Sequence, residues 1–172
     1  IHKVYPRVTV IGNVITDIRN RVDWVDSHYY GDEMFFITNQ SRFDGFLYAK
    51  RQPPMFIGEF GLVRDESSGT LRSALAEACF LLGLERNPDA VKRIAYAPAL
   101  ANVQMNKKAK GLILFNNKLA VKTPSYHMLS MLGENRGDAI LKTAVTSYER
   151  PQVTFGAAYL HMFDNRFDFR TI

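Results

Sequence analysis

The chain has 172 residues, enough for one domain with a sizeable core, and its 47% hydrophobic and 23% charged residues are typical of soluble globular proteins. No apolar run approaches the roughly 18 residues that a membrane span needs, and the single cysteine, Cys79, excludes an internal disulfide and a cysteine metal cluster. The four histidines lack the paired helical spacing of a zinc site, so we predict no metal and no cofactor. The net charge of +5 comes partly from the stretch 106–110, which lacks flanking aromatic or glycine-rich segments and is therefore interpreted as a solvated loop.

The first part of the chain alternates apolar runs with polar or helical ones. The apolar, β-branched segments Arg7–Gly12 and Val22–Asp26 predict buried strands, and the second is followed by Ser27-His-Tyr-Tyr30, whose side chains can make hydrogen bonds. Asp32 can cap a helix that we predict to run from about Glu33 to Phe46. This order of strands and helices is typical of a parallel α/β sheet.

A short strand is predicted next, within Pro54-Met-Phe-Ile-Gly-Glu-Phe-Gly61. Reactive groups of parallel α/β barrels lie where strands end, and Glu59 follows the apolar run directly. Gly58 leaves room for a ligand or for a neighbouring backbone. Glu59 is therefore a candidate nucleophile or general base, and the alternative is a structural carboxylate paired with an arginine.

The second half of the chain contains the best predicted helix, Thr70–Glu85. Its leucines and one alanine form a single stripe of the kind that faces a protein core, at Leu71, Leu75, Ala78 and Leu82. Further predicted elements are two strands, Val91–Asn102 and Leu112–Phe115, and a helix from Pro124 to about Leu132. Beyond Asp138 only strands are predicted, over Ala139–Thr146 and Gln152–Phe163, which indicates a domain boundary near Asp138.

Eight short motifs occur in a fixed order along the chain. They are Asp26-Ser-His-Tyr-Tyr30, Gly58-Glu-Phe-Gly61, Leu71–Ala78, Gly83–Asn87, Tyr96-Ala-Pro98, Phe115-Asn116, Thr123–Tyr126 and Asn135–Asp138. Together they resemble family 51 glycoside hydrolases, most closely the plant-type α-L-arabinofuranosidases. The resemblance covers roughly residues 2–138, and each motif is modest alone, but eight in order are specific.

The resemblance implies an α/β fold that is the C-terminal half of a (β/α)8 TIM barrel running into the start of a β-sandwich. Residues 1–138 would supply barrel strands five to eight, and residues 139–172 would begin the sandwich. Strands ending near Asn13, Tyr30, Glu59 and Asn102 should then be parallel neighbours in that order, with helices 33–46 and 70–85 packed outside.

The resemblance also implies a function: a retaining hydrolase that releases α-L-arabinofuranosyl residues from arabinose-containing polysaccharides. Glu59 matches the family nucleophile, and His28 and Tyr30 match residues that line the sugar site. Alternatively, the aromatic run His28-Tyr29-Tyr30 simply fills the barrel mouth. By resemblance the enzyme is extracellular, which the sequon Asn39-Gln-Ser41 weakly supports.

Several departures from the family pattern favour other interpretations. The family acid/base, a glutamate after an asparagine on the fourth strand, has no counterpart here, so the chain is expected to be inactive by itself. Ser27 and Gly61 replace a glutamate and an alanine of many relatives, and lysines of the loop 107–110 stand where many have a tryptophan. These departures motivate the second hypothesis, a degenerate, non-catalytic carbohydrate-binding relative. The net charge of +5 motivates the third, a nucleic-acid-binding domain. The sequence gives no indication of the oligomeric state.

Overall fold

The computed structural model describes residues 1–13, 22–45, 53–62, 67–106 and 109–141. The chain divides into two compact units, residues 1–136 and 137–172, and the elements described below belong to the first. In chain order these elements are β1 (Ile11–Gly12), β2 (Trp24–Tyr30), α1 (Glu33–Thr38), β3 (Met55–Gly61), α2 (Leu71–Glu85), β4 (Val91–Tyr96), β5 (Leu100–Asn102), β6 (Ile113–Phe115), β7 (Ala120–Lys122) and α3 (Pro124–Glu134). The strands predicted over 139–146 and 152–163 fall almost entirely outside the described residues, so the proposed sandwich domain stays a prediction.

The main sheet has the order β1-β2-β3-β4, and all three neighbouring pairs are parallel. This confirms the predicted parallel order for the strands that end near Asn13, Tyr30 and Glu59. Helices follow β2 and β3 along the chain, as expected where each crossover returns to a parallel neighbour. The chain is therefore an α/β protein built on a parallel sheet.

The prediction of a single strand over Val91–Asn102 was wrong. β4 ends at Tyr96, and β5 begins at Leu100 in a second sheet with the order β5-β6-β7, where β5 and β6 are parallel and β6 and β7 antiparallel. Pro98 lies between the two strands and has no N–H to donate to a sheet ladder, which explains the interruption. The fourth strand of the main sheet consequently ends at Tyr96, and not at Asn102.

Helix α1 begins as predicted but ends well before Phe46. The Asp32 carboxylate accepts the N–H of Phe35 at 2.8 Å, as an N-cap should, whereas the last helical residue is Thr38. Asn39 is the C-cap, and its backbone N–H and side-chain amide both donate to the Phe35 carbonyl, at 3.1 and 2.8 Å. Residues 39–45 form turns instead.

Helix α2 covers the predicted range, but its leucine stripe does not face the core. Leu71, Leu75 and Leu82 are 66%, 44% and 48% exposed. The buried face of the helix carries Phe80, which meets Tyr29 of β2 with 5.7 Å between ring centroids. This aromatic packing against the sheet sets the rotation of the helix, and the leucines then lie on the outer side.

Candidate functional site

The candidate site lies on strands β2 and β3, on the sheet face opposite to the helices. Side chains alternate between the two faces of a strand, and Tyr29 packs against Phe80 of α2. His28 and Tyr30 therefore lie on the other face. Glu59 of β3 is aligned directly with His28, which brings all three residues predicted from the sequence to one place.

A carboxylate held by two neighbours is the centre of this site. The Tyr30 hydroxyl donates to Oε2 of Glu59 at 2.5 Å, and Nδ1 of His28 lies 3.3 Å from the same oxygen. The Glu59 side chain is 43% exposed, so solvent or a ligand can reach it. An oriented, accessible carboxylate can attack an electrophilic carbon or accept a proton.

The environment keeps the Tyr30 phenol protonated. Burial, the hydrogen bond to Glu59 and the charge of Glu59 together raise the pKa of Tyr30 to about 12. The phenol is therefore a permanent donor to the carboxylate at neutral pH. A donor of this kind orients the carboxylate.

Asp26 extends the group of polar side chains by one residue. Its Oδ2 lies 3.2 Å from Nε2 of His28, and its Oδ1 accepts the N–H of Gly58 at 3.1 Å. Asp26 opens the motif Asp26–Tyr30, but no role was predicted for it from the sequence. Its position two residues before His28 on the same strand was the available signal, since such residues share a face.

A second carboxylate, Glu77 of α2, was also missed by the sequence analysis. It is fully buried and accepts three hydrogen bonds: from the Leu62 N–H at 2.8 Å, the Tyr96 hydroxyl at 2.9 Å and the Ser125 hydroxyl at 2.6 Å. Burial raises the pKa of Glu77, and the three donors partly offset that rise. Burial and the Glu77 charge in turn raise the pKa of Tyr96. One acidic residue inside the apolar run 73–84 was the signal that could have revealed this cluster.

Neither a metal cluster nor a membrane helix emerges from the described part of the chain. Histidine, cysteine and carboxylate side chains there form no group of three or more with the arrangement of metal ligands. No helix of the described residues has the length and apolar character needed to cross a membrane. Two lysines of the basic stretch, 107 and 108, lie outside the described residues.

The fold and the site together define an α/β protein with an accessible carboxylate at the carboxyl end of a parallel strand. Residues 53–167, which include Glu59, match the family described as the α-L-arabinofuranosidase C-terminal domain. This match covers more than half of the chain. The chain belongs to the α-L-arabinofuranosidase C-terminal domain family.

Individual relatives agree with this family. The chain is 32% identical over 156 residues to the extracellular exo-α-L-arabinofuranosidase of Streptomyces chartreusis, a match that covers 83% of this chain and 18% of that protein. It is 35% identical over 149 residues to the probable α-L-arabinofuranosidase A of Aspergillus flavus, covering 81% of this chain and 23% of the relative. The chain thus spans about a fifth of the length of these curated relatives.

A solved structure has a similar fold. The arabinose-bound α-L-arabinofuranosidase MgGH51 superimposes with a TM-score of 0.72 at 26% identity, over 85% of this chain and 26% of the other.

Proposed function

We propose that this chain carries the nucleophile of a retaining glycoside hydrolase that releases α-L-arabinofuranosyl residues from arabinose-containing polysaccharides. The observation that supports this best is the Glu59 carboxylate at the end of β3, accessible on one side and held by the Tyr30 hydroxyl on the other. The family match over residues 53–167 supports the same substrate class.

In the proposed reaction Glu59 acts in two steps. Tyr30 and His28 both contact Oε2, so Oε1 is the oxygen that attacks the anomeric carbon. The new bond forms as the glycosidic bond breaks, and the departing oxygen takes a proton from a second carboxylic acid. Water, deprotonated by that same second group, then attacks the anomeric carbon and releases Glu59, so the product retains the starting configuration.

The proton donor is proposed to lie outside residues 1–172, because no glutamate in them follows an asparagine as the family acid/base does. Among the described residues, Asp26 is the other carboxylate in contact with His28, Tyr30 or Glu59. Its two oxygens face Gly58 and His28. General acid assistance contributes about 10²–10⁴-fold to such reactions, so we expect the 172-residue chain alone to be inactive.

We further propose that residues 1–138 form the C-terminal half of a plant-type (β/α)8 barrel and that residues 139–172 begin a β-sandwich. The four parallel strands and the fold likeness to MgGH51 are compatible with this architecture. An extracellular location is proposed because the Streptomyces relative is named as extracellular. The arabinose bound to MgGH51 supports the choice of sugar.

A degenerate carbohydrate-binding relative is not favoured as an alternative. The accessible Glu59 carboxylate, the Tyr30 donor and the His28 contact that the proposed reaction needs are all present. No observation on the described residues favours a nucleic-acid interface.

The test is Glu59→Ala in the complete gene product that contains these residues. Turnover should fall sharply, while thermal stability should change little because the side chain is 43% exposed. Azide should restore part of the turnover by attacking the anomeric carbon from the side opposite the leaving group, which gives a glycosyl azide of inverted configuration. Glu85→Ala, on the exposed side of α2, is the matched control and should keep normal turnover.

Two outcomes would contradict the proposal. Near-normal turnover in Glu59→Ala would make Glu59 structural. A glycosyl azide of retained configuration would instead make Glu59 the acid/base, with the nucleophile elsewhere in the gene product.

A further inference from the structure

Strand β3 carries one extra residue immediately before Glu59. Toward β2, Ser27 is aligned with Ile57 and the next residue, His28, is aligned with Glu59, so Gly58 has no counterpart. The alignment with β4 shifts over the same stretch. An extra residue of this kind is a β-bulge, a feature that redirects the side chains that follow it.

The bulge decides which face of the sheet Glu59 occupies. Aligned residues of neighbouring strands project to the same side, and successive residues alternate. Without the extra residue, Glu59 would be aligned with Tyr29 and would project toward the helices. With the extra residue, Glu59 is aligned with His28 and meets the Tyr30 hydroxyl on the opposite face.

The Asp26 carboxylate holds both sides of this bulge. Its Oδ1 accepts the N–H of Gly58 at 3.1 Å, and its Oδ2 lies 3.2 Å from Nε2 of His28. The fit is close, because a Cβ built on Gly58 would lie 2.2 Å from Oδ1 of Asp26. A side chain at position 58 would therefore force the Asp26 carboxylate to move.

We propose that Asp26 is a positioning residue that fixes the bulge and His28 and thereby aims the Glu59 carboxylate at the substrate. The proposal rests on the proposed role of Glu59 as nucleophile. Asp26 acts through Gly58 and His28, since its oxygens contact these two groups. Loss of its carboxylate would leave the Gly58 N–H without its acceptor and would remove one of the two contacts that orient the imidazole ring.

The test is a double-mutant cycle on Asp26 and Gly58 in the complete gene product. We expect Asp26→Ala to lower kcat about 10²-fold with a smaller change in KM, because a misplaced reacting group costs about that much. We expect Gly58→Ala to lower kcat to a similar extent, because its methyl group meets the Asp26 carboxylate. In the double variant that clash is gone, so the combined loss should be well below the product of the two single losses.

A conservative variant and a matched control separate positioning from general destabilisation. Asp26→Asn keeps an oxygen for the Gly58 N–H and should lower kcat only about tenfold. The contact between residue 26 and the His28 ring changes in this variant, so the ¹⁵N chemical shifts of the His28 ring should move. Asp89→Asn, with a side chain that is 71% exposed beside Lys92, should leave kcat and those shifts unchanged. If Asp26→Ala does not fold, Asp26→Asn and its control Asp89→Asn still test the positioning role of Asp26.

A crystal structure of Asp26→Ala, or of Asp26→Asn if the first does not fold, gives a readout that does not depend on activity. We expect the Glu59 carboxylate to leave the Tyr30 hydroxyl in the alanine variant and the imidazole ring of His28 to turn in the asparagine variant. An unmoved Glu59 with unchanged kcat, or strictly multiplicative losses in the cycle, would overturn the proposal. Azide attack with retained configuration in Glu59→Ala would refute the nucleophile role of Glu59. Movement of Glu59 in the Asp26→Ala crystal would in that case still show that Asp26 positions this carboxylate.

Discussion

Removing the buried carboxylate of Glu77 tests how the end of β3 is held in place. Glu77 is fully buried, and its two oxygens accept hydrogen bonds from Leu62, Tyr96 and Ser125, which belong to three different parts of the fold. Glu77→Ala would leave all three donors without this acceptor. The two hydroxyls can rotate toward other partners, but the Leu62 N–H cannot.

The expected cost follows from these three bonds. An unsatisfied buried donor costs about 1–3 kcal/mol, so Glu77→Ala should lower the free energy of unfolding by about 3–5 kcal/mol after partial relaxation. Glu77→Gln keeps one oxygen for Leu62 and Tyr96, and its amide can donate to the Ser125 hydroxyl. We therefore expect a cost of about 1–2 kcal/mol for Gln.

The assay is urea unfolding of the complete gene product combined with amide hydrogen exchange. The Leu62 amide should exchange much faster in Glu77→Ala. The Met55 amide, which donates to the Ala90 carbonyl at 2.7 Å, should change less and serves as the internal reference. Glu85→Gln, on the exposed side of the same helix, should change neither readout. A loss below about 1 kcal/mol in Glu77→Ala, with an unchanged Leu62 amide, would refute the reasoning.

The pH dependence of stability tests independently whether burial or the three hydrogen bonds dominate the pKa of Glu77. Burial raises the pKa of Glu77 above its ordinary value of 4.5. At a pH between 4.5 and the raised pKa, the folded protein therefore binds more protons than the unfolded chain. The stability that Glu77 contributes is therefore full below 4.5 and is lost as the pH rises through the raised pKa. Glu77→Gln does not titrate, so its deficit relative to the native protein should be largest at acidic pH and should narrow as the pH rises. A deficit that widens with pH would mean that the three donors outweigh burial.

Two further predictions concern the helices and the site. Gly83→Ala should be destabilising despite the better helix propensity of alanine, because the new Cβ would lie 1.8 Å from the Gln40 carbonyl oxygen. The matched control is Gly133→Ala in α3, where the new Cβ meets nothing within 4 Å. This variant should raise the thermal midpoint, because alanine is about 1 kcal/mol more favourable than glycine within a helix. Equal shifts in the two variants would contradict the close approach of α2 to Gln40. Tyr30→Phe should lower kcat/KM about 10- to 150-fold, since a hydrogen bond to a charged group contributes about 1.5–3 kcal/mol, whereas Tyr5→Phe at a side chain that is 61% exposed should have no effect. Unchanged kinetics in Tyr30→Phe would show that the 2.5 Å contact does not support catalysis.

The sequence by itself determined the features that depend on neighbours along the chain. The N-cap at Asp32, the range of α2 and the run that places Glu59 at a strand end all follow from local hydrogen bonding and hydrophobic spacing. The alternation of strands and helices also gave the parallel order of the first three strands, because such crossovers return to a parallel neighbour. Eight ordered motifs were enough to indicate the family.

Only the tertiary structure decided the features that depend on contacts between distant segments. The bulge at Gly58 is a difference in register between neighbouring strands, and a glycine in the sequence does not reveal whether the pairing shifts there. The rotation of α2 was set by the packing of Phe80 on Tyr29, 51 positions earlier in the chain, which left the leucine stripe on the outside. Glu77 meets Leu62, Tyr96 and Ser125 across sequence separations of 15, 19 and 48 residues. Register, helix rotation and buried pairing are set by which surfaces meet in three dimensions, and the local pattern of the sequence leaves them open.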